Sequence, residues 1–419
     1  MKGESQSSAR QAWLNQASNT ADFNQPSTSL APKQGKAGNT DTSKWAPGPE
    51  SAKTAGLFDG VLGFVSQMTS HKSHTKGTFK GHKKPIAFLR LGQDNKYVLS
   101  ASDDRTVRYW HRETGECVVK FDTETTAPIQ DLEFIPNNMG HAYSFSSKTP
   151  MSEPGKGVLC VWNLVGEYPI GRLDITNRFA FSRQGKKIAF ASDDFMAVHV
   201  KLYQGQWNTT TLMGHETPIS CITFSSDCQF IMAGAEDGSI RFWDIESRQE
   251  LCQFIGHTDR VQELVISPDG RWMASSSNDG TVRIWDAYTG TAMLVLDEFH
   301  PHVPVKPIWS KEHNQLLTVE RKTIRLWDLG EQKTIARFTP RNNRDITAYS
   351  FIEDTNHLLV ACQGEALISW IDMVSGDLID EFDFCKTELR DLLYVPDSDE
   401  FLSAGNENHF CKWSLERQQ

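Results

Sequence analysis

The sequence predicts an all-β propeller, and three observations carry that prediction. A short apolar strand ending in Trp recurs along the chain from Lys76 onward. Its copies are evenly spaced. Gly, Asp, Asn and Ser punctuate the intervals, as tight turns between short strands require.

The recurring strand reads TVRYW at Trp110, VLCVW at Trp162, SIRFW at Trp243, TVRIW at Trp285, TIRLW at Trp327, ALISW at Trp370 and HFCKW at Trp413. HVKLY places Tyr203 in the one gap, and the successive spacings are 52, 41, 40, 42, 42, 43 and 43 residues. A period of about 40–45 residues built from short strands is the mark of propeller blades. Eight units are counted, and the degenerate ones leave seven blades as the alternative.

Two units are the most regular: GHETPISCITFSSDCQFIMAGAEDGSIRFWD and GHTDRVQELVISPDGRWMASSSNDGTVRIWD. Each has Gly-His, an apolar strand, a turn, a second strand, an Asp-Gly turn and Trp-Asp. In these residues the chain resembles the WD-repeat β-propeller family, from Lys76 to Gln419. The resemblance implies a buried hydrogen-bond chain from Trp to a strand hydroxyl, to the His of Gly-His, to the turn Asp. Carried over, the complete sets are His82, Ser100, Asp104 and Trp110, and His257, Ser275, Asp279 and Trp285. The fourth unit has His215, Asp237 and Trp243, but Ala233 replaces the hydroxyl. The third unit lacks Gly-His before NRFAFS. The sixth has HPHVPV and a shortened turn, the seventh RNNRDITAYSF and the eighth CKTELRDLLYVP. These units are expected to rest on strand packing alone.

Only six residues follow Trp413, too few for a fourth strand in the last unit. KGTFKGH, Lys76 to His82, precedes the first unit and is expected to supply it, as in the family. Pairing the two ends removes exposed strand edges and locks the ring.

Upstream, residues 1–55 are rich in Ser, Thr, Gln, Asn, Gly and Pro and hold only Trp13, Phe23 and Trp45 as aromatics. Such a segment cannot bury enough apolar surface to offset its ordering entropy, so a disordered tail is expected. Residues 56–70 contain GLFDGVLGFVSQM. There Phe58, Val61, Leu62, Val65 and Met68 share one face of a short helix. Gly60 and Gly63 weaken that helix, which suits a motif that folds on a partner and tethers the propeller, or a flap docked on its own ring. The propeller is assigned residues 71–419.

Charge and composition narrow the function classes. Net charge is −10, and residues 1–75 carry seven basic against five acidic side chains, which leaves −12 for the remainder. So acidic a body is ill suited to general binding of phosphate backbones. An RNA-associated complex subunit acting through Lys72, Lys76, Lys80, Lys83 and Lys84 is therefore the secondary reading. The start MKGESQSSAR has no apolar core of a secretory signal, and no stretch has the roughly 20 apolar residues that span a bilayer. The 8 Cys are scattered without a CxxC pair, as expected of reduced, buried thiols in a cytoplasmic protein.

The His, Ser and Asp of each set also resemble a hydrolase triad. Their recurrence in several units, each time with Trp, speaks for structure instead. His71, His74, His300 and His302 show no ligand spacing, so neither a metal nor a cofactor is expected. The function expected is a non-enzymatic scaffold for protein–protein interaction within a complex, with function in the loops. Contact candidates flank the Gly-His and Asp turns: Lys83, Lys84 and Asp103 in the first unit, Glu216 and Glu236 in the fourth, and Asp259, Arg260 and Asn278 in the fifth. Arg260 leads, since Arg is enriched in interface hot spots. An insertion, Ser146 to Gly157, is expected to project from the same face.

Overall fold

Alternation of apolar and polar residues makes short strands, and a sheet with two apolar faces must be covered on both. The structure meets that demand with eight four-stranded antiparallel sheets. A computed structural model describes residues 75–419, apart from 138–139, 152, 204–206, 311–314, 341–342, 366, 384–387, 397 and 416–419. The tail and the 56–70 motif, with Phe58, Val61, Leu62 and Val65, lie outside the described residues.

The sheets are the blades of a propeller, and the alternative of seven is excluded. In chain order they span residues 86–122, 129–176, 179–212, 219–254, 261–296, 306–338, 346–383 and 389–414. Within each of the first seven, four consecutive strands pair in sequence order from the channel outward. Burial peaks at the second strand and falls outward from it. In blade 1 the second strand, Tyr97–Ser102, is almost wholly buried, whereas the outermost, Cys117–Asp122, buries only Phe121 and otherwise alternates between half-buried and exposed. The gaps between neighbouring sheets are filled by apolar clusters. Leu132 and Trp162 of blade 2 pack with Leu99 and Phe121 of blade 1, for example.

Two irregularities recur. The innermost pair slips register near its start, between Ile86 and Phe88 in blade 1 and between Val261 and Glu263 in blade 5. The outer pair slips at the Trp, between Tyr109 and Trp110 and between Ile284 and Trp285. Such bulges increase the local twist and re-aim the side chain that follows. The Asp-Gly turn has its own constraint. Gly238 has φ +85°, and a Cβ there would stand 2.7 Å from the His257 carbonyl oxygen. Only glycine lets the blade 4 turn lie against the blade 5 His loop.

The eighth sheet is made from both ends of the described chain. Strand Thr75–Lys80 pairs antiparallel with His409–Ser414, so the order is first strand, last strand, then the two preceding ones. The expected closure is therefore observed. Phe79 is buried in the seam. It stacks on Phe410 at 4.2 Å and meets Trp110 of blade 1 edge-on at 6.0 Å. Ion pairs cross the same seam: Arg112 to Glu400, Arg90 to Asp391 at 3.2 Å, and Arg390 to Asp103 at 2.9 Å. Lys76 and Lys412 add positive charge 3.7 Å from Glu400.

The assignment of the Trp site is corrected in two blades, for Tyr203 in blade 3 and for Trp370 in blade 7. In blade 1 Trp110 faces Val98. In blade 3 the residue facing the matching Ile188 is Lys201, so Tyr203 lies two positions beyond the Trp site. The hydroxyl site holds Phe190, which faces His199. Blade 3 thus lacks the Trp-centred set altogether.

Phe79→Ala deletes a ring shared by blades 8 and 1. It should cost about 3–5 kcal/mol, the range for buried Phe truncation, and chemical denaturation of the full chain measures this directly.

Candidate functional site

Each complete set begins with a strand hydroxyl that the second strand places opposite the residue two before Trp. Ser100 faces Arg108 and Ser275 faces Arg283. The indole N–H of Trp110 donates to Ser100 Oγ at 2.8 Å, and Ser100 Oγ lies 2.7 Å from His82 Nε2. His82 Nδ1 is 3.1 Å from Asp104 Oδ2. The blade 5 set repeats these contacts: Trp285 to Ser275 at 2.7 Å, Ser275 to His257 at 2.7 Å, and His257 to Asp279 at 2.8 Å. A fifth member joins in both blades, unmarked by the sequence reading. Thr106 donates to Asp104 at 2.6 Å and Thr281 to Asp279 at 2.7 Å.

Burial sets the electrostatics. It pushes the His82 imidazole down to about 4, against the pull of Asp104, so the ring is neutral at pH 7. Burial alone would raise Asp104. The Thr106 hydroxyl, the Lys83 N–H and His82 outweigh it and hold the carboxyl down to about 2. The neutral tautomer that satisfies every atom carries its proton on Nδ1, toward Asp104, and accepts from Ser100 at Nε2. The hydroxyl then accepts from Trp110. Ser100 and Ser275 are both 0 % exposed. The hydrolase-like constellation therefore has no nucleophile open to a substrate.

The incomplete sets show what the hydroxyl does. In blade 4, Ala233 takes its place, and the Trp243 indole turns to the Met213 carbonyl at 3.2 Å. His215 Nε2 is left buried without a partner, and burial pushes its imidazole down to about 4. In blade 7 the register places Ile371, which faces Leu358, at the Trp site and Val360 at the hydroxyl site, so Trp370 falls one position short of it and its indole nitrogen is unpartnered.

The expectation that the remaining degenerate blades rest on packing alone is corrected in two of them. In blade 8 Trp413 donates to Ser403 at 2.6 Å, and in blade 6 Trp327 donates to Thr318 at 2.8 Å. Blade 2 has the same bond, Trp162 to Ser144 at 3.0 Å. Blade 6 also replaces the His–Asp pair with a buried ion pair between Arg325 and Glu320, whose side chains are 2 % and 4 % exposed. A Ser or Thr about ten residues before Trp was the available signal. The insertion in blade 2 and the shortened turn in blade 6 change that spacing to 18 and 9.

The model of the WD domain, G-beta repeat, matches residues 73–111, and that of the Nucleolar protein 10-like N-terminal domain matches residues 172–371. The chain belongs to the WD-repeat β-propeller family. The WD repeat-containing protein 26 homolog of Arabidopsis thaliana is 24 % identical over 175 residues, covering 41 % of this chain and 28 % of that protein. The serine-threonine kinase receptor-associated protein of Gallus gallus is 27 % identical over 167 residues, covering 39 % and 43 %. The chain thus matches less than half the length of these relatives. The crystal structure of the computationally designed Ika8 protein superposes with a TM-score of 0.61 at 20 % identity, over 82 % of this chain and all of that one. That likeness concerns the fold.

On this WD-repeat ring the contact candidates fall into two groups. Asp259, Arg260 and Asn278 come together at the blade 5 turn: Asn278 N–H donates to the Arg260 carbonyl at 2.9 Å and Arg260 N–H to Asp259 at 2.6 Å. His302 lies 3.6 Å from Asp259, and His300 3.6 Å from Glu320. Lys83, Lys84 and Glu216 are exposed, and Glu236 is half-buried. Asp103 is engaged by Arg390 across the seam. The insertion is tied down rather than loose. Gln130 donates to the Ser147 and Thr149 carbonyls, Asn177 to those of Pro150 and Glu153, and Arg178 to that of Met151. Arg178 is 6 % exposed, and Arg260 adds to the positive potential that, after burial, brings its guanidinium down to about 10. Among the described residues no cluster of three or more His, Cys, Asp or Glu could hold a metal.

Trp285→Phe strands the Ser275–His257 pair and should cost about 1–3 kcal/mol, the usual cost of unsatisfied buried polar groups. Trp370→Phe removes an indole that already lacks a partner and should cost less; urea denaturation ranks the two. A separate expectation concerns acid. The folded pKa of His82 lies below its unfolded value of 6.5. Its contribution is complete above pH 6.5, falls as pH drops, and levels off near pH 4. The full loss is about 3 kcal/mol per such His. Denaturation midpoints between pH 7.5 and 4.5 should slope less in His82→Asn than in the wild type.

Proposed function

We propose that this WD-repeat chain is a non-enzymatic scaffold subunit of a multiprotein complex. Propellers of this family generally act as non-enzymatic scaffolds. The observation that carries the reading is the sealing of every His–Ser–Asp set behind Trp, so that the polar chemistry of the repeats is spent on rigidity. What the ring offers outward is loops on a fixed frame. The blade 5 turn with Asp259, Arg260 and Asn278 is the primary contact patch, flanked by Glu236 and by the tied-down insertion of blade 2. The 56–70 motif acts as the tether, with Phe58, Val61, Leu62 and Val65 as its apolar face. The cytoplasm is the proposed location, in keeping with cysteines that form no disulfide among the described residues.

A second reading, an RNA-associated complex subunit, draws on the matched domain's description as Nucleolar protein 10-like and on the basic run. Lys80, Lys83 and Lys84 are exposed, whereas Lys76 lies beside Glu400. A salt-dependent RNA mobility shift, lost when these lysines are replaced by Gln, would favour it.

Affinity purification of the intact chain with mass spectrometry tests the scaffold reading. Arg260→Glu should lose a defined partner with the melting temperature unchanged. Phe58→Ala with Leu62→Ala should lose a different one, also without a change in melting temperature. Retention of all partners by both variants would refute the assignment of these surfaces, and a lowered melting temperature in the second would make the motif a structural flap.

A further inference from the structure

On the face opposite the Gly-His turns, a cleft of ≈ 200 Å³ opens between blades 1 and 2. Its walls are Tyr97 and Tyr109 of blade 1 and Phe134, Ile135 and Val165 of blade 2, with Asp94 at the rim. The space suits one long side chain. The two tyrosine rings stack at 4.7 Å, and Phe134 meets Tyr109 edge-on at 6.4 Å. Val165 is 82 % exposed, and Tyr168 and Ile170 continue the apolar surface along the outer strand of the blade.

Two polar features of this cleft are unspent. Tyr109 is only 8 % exposed, and its hydroxyl, bonded to none of the described residues, opens into the cleft. Asp94 uses Oδ1 to accept from the Lys96 N–H at 3.0 Å, and no cation of the described residues lies within ion-pair distance of it. Burial, with Tyr97 and Asp94 nearby, raises the Tyr109 phenol well above its usual value, so it is a neutral hydroxyl at pH 7.

An occupant must therefore donate to a carboxylate and to a phenol oxygen while covering aromatic and aliphatic walls. We infer that the cleft receives an arginine side chain from an extended segment of a partner protein. The guanidinium is planar, carries five donors, and is weakly enough hydrated to leave water for an aromatic wall. Its stem covers Phe134, Ile135 and Val165, as long cationic side chains do on apolar surface. The net −12 borne by residues 76–419 favours approach of a cation. A neutral or acidic side chain leaves Asp94 uncompensated. This deepens the scaffold reading with a second surface, remote from Arg260.

The test uses the full chain with its 8 tyrosines replaced by 3-fluorotyrosine and read by fluorine NMR. Tyr97→Phe and Tyr109→Phe assign the two resonances. The probe is the peptide acetyl-Ala-Ala-Arg-Ala-Ala-amide, and its control carries citrulline, which keeps the shape and loses the charge. Saturable shifts are expected at Tyr97 and Tyr109, with the citrulline peptide and the Asp94→Asn variant each binding about tenfold more weakly. Asn keeps the acceptor for Lys96, so the turn should persist. Should that variant misfold, the loss of affinity in Tyr109→Phe, read at Tyr97, stands in for it. Equal binding of the two peptides, shifts confined to other tyrosines, or no saturable shift would each overturn the proposal. None of these outcomes touches the partner-loss test of Arg260, so the two readings fail separately.

Discussion

Closure of the ring by one strand is the constraint on which the rest of the structure depends. Each blade is apolar on both faces and stable only between two neighbours, so an open array would leave two faces in water. Thr75–Lys80 joins His409–Ser414 and makes the eighth blade a product of both chain ends. The seam carries more than backbone pairing. Phe79 sits between Phe410 and Trp110, and the Arg112–Glu400 pair is buried with lysines beside it. Opening this seam would expose an apolar cluster that includes Leu89, Val98, Leu402 and Phe410 at once. It would also leave buried charge unpaired, which is costly.

Within that frame, the blades differ in how they satisfy one buried indole. A strand hydroxyl is the common solution, in blades 1, 2, 5, 6 and 8. Blades 1 and 5 extend it through His to Asp and so tie the preceding loop to the turn. Blade 6 keeps the hydroxyl and exchanges the His–Asp pair for Arg325 and Glu320. Blade 4 places alanine at the hydroxyl position and leaves an imidazole nitrogen unsatisfied, and blade 7 places Ile371 at the Trp site and leaves the displaced Trp370 indole nitrogen unsatisfied. Unsatisfied buried groups are where a repeat array is easiest to open. Blades 4 and 7 are thus weaker links flanking better-satisfied ones.

The two faces of the ring are chemically unlike. The Gly-His face is built from the loops that the hydrogen-bond sets hold in place. It presents Arg260, Asp259, Glu236 and the tied-down insertion. The opposite face is built from the turns between first and second strands and between third and fourth strands. There blade 1 and blade 2 leave an aromatic cleft with a carboxylate at its rim. A rigid disc with two different surfaces can hold two partners at a fixed separation, and that is the property a scaffold needs.

The sequence by itself determined the architecture, because a Trp-ended strand every 40-odd residues has few other solutions. It determined the complete sets in blades 1 and 5 and the defect at Ala233, because identity at fixed spacing specifies a local contact. It also located the closing strand, since a blade one strand short must borrow one. Tertiary structure alone decided the rest. The register in blade 3 put Lys201 rather than Tyr203 at the Trp site, because pairing follows the neighbouring strand and not the apolar motif. Thr318 and Ser144 became indole partners through cross-strand positions that a shortened turn and an insertion hide from a linear count, whereas Ser403 stands at the regular spacing of 10. The cleft needs Tyr97 and Tyr109 from one blade and Phe134, Ile135 and Val165 from the next, and it exists only where the two sheets meet. A period encodes what a repeat does with itself, whereas a surface shared by two repeats is set by their packing.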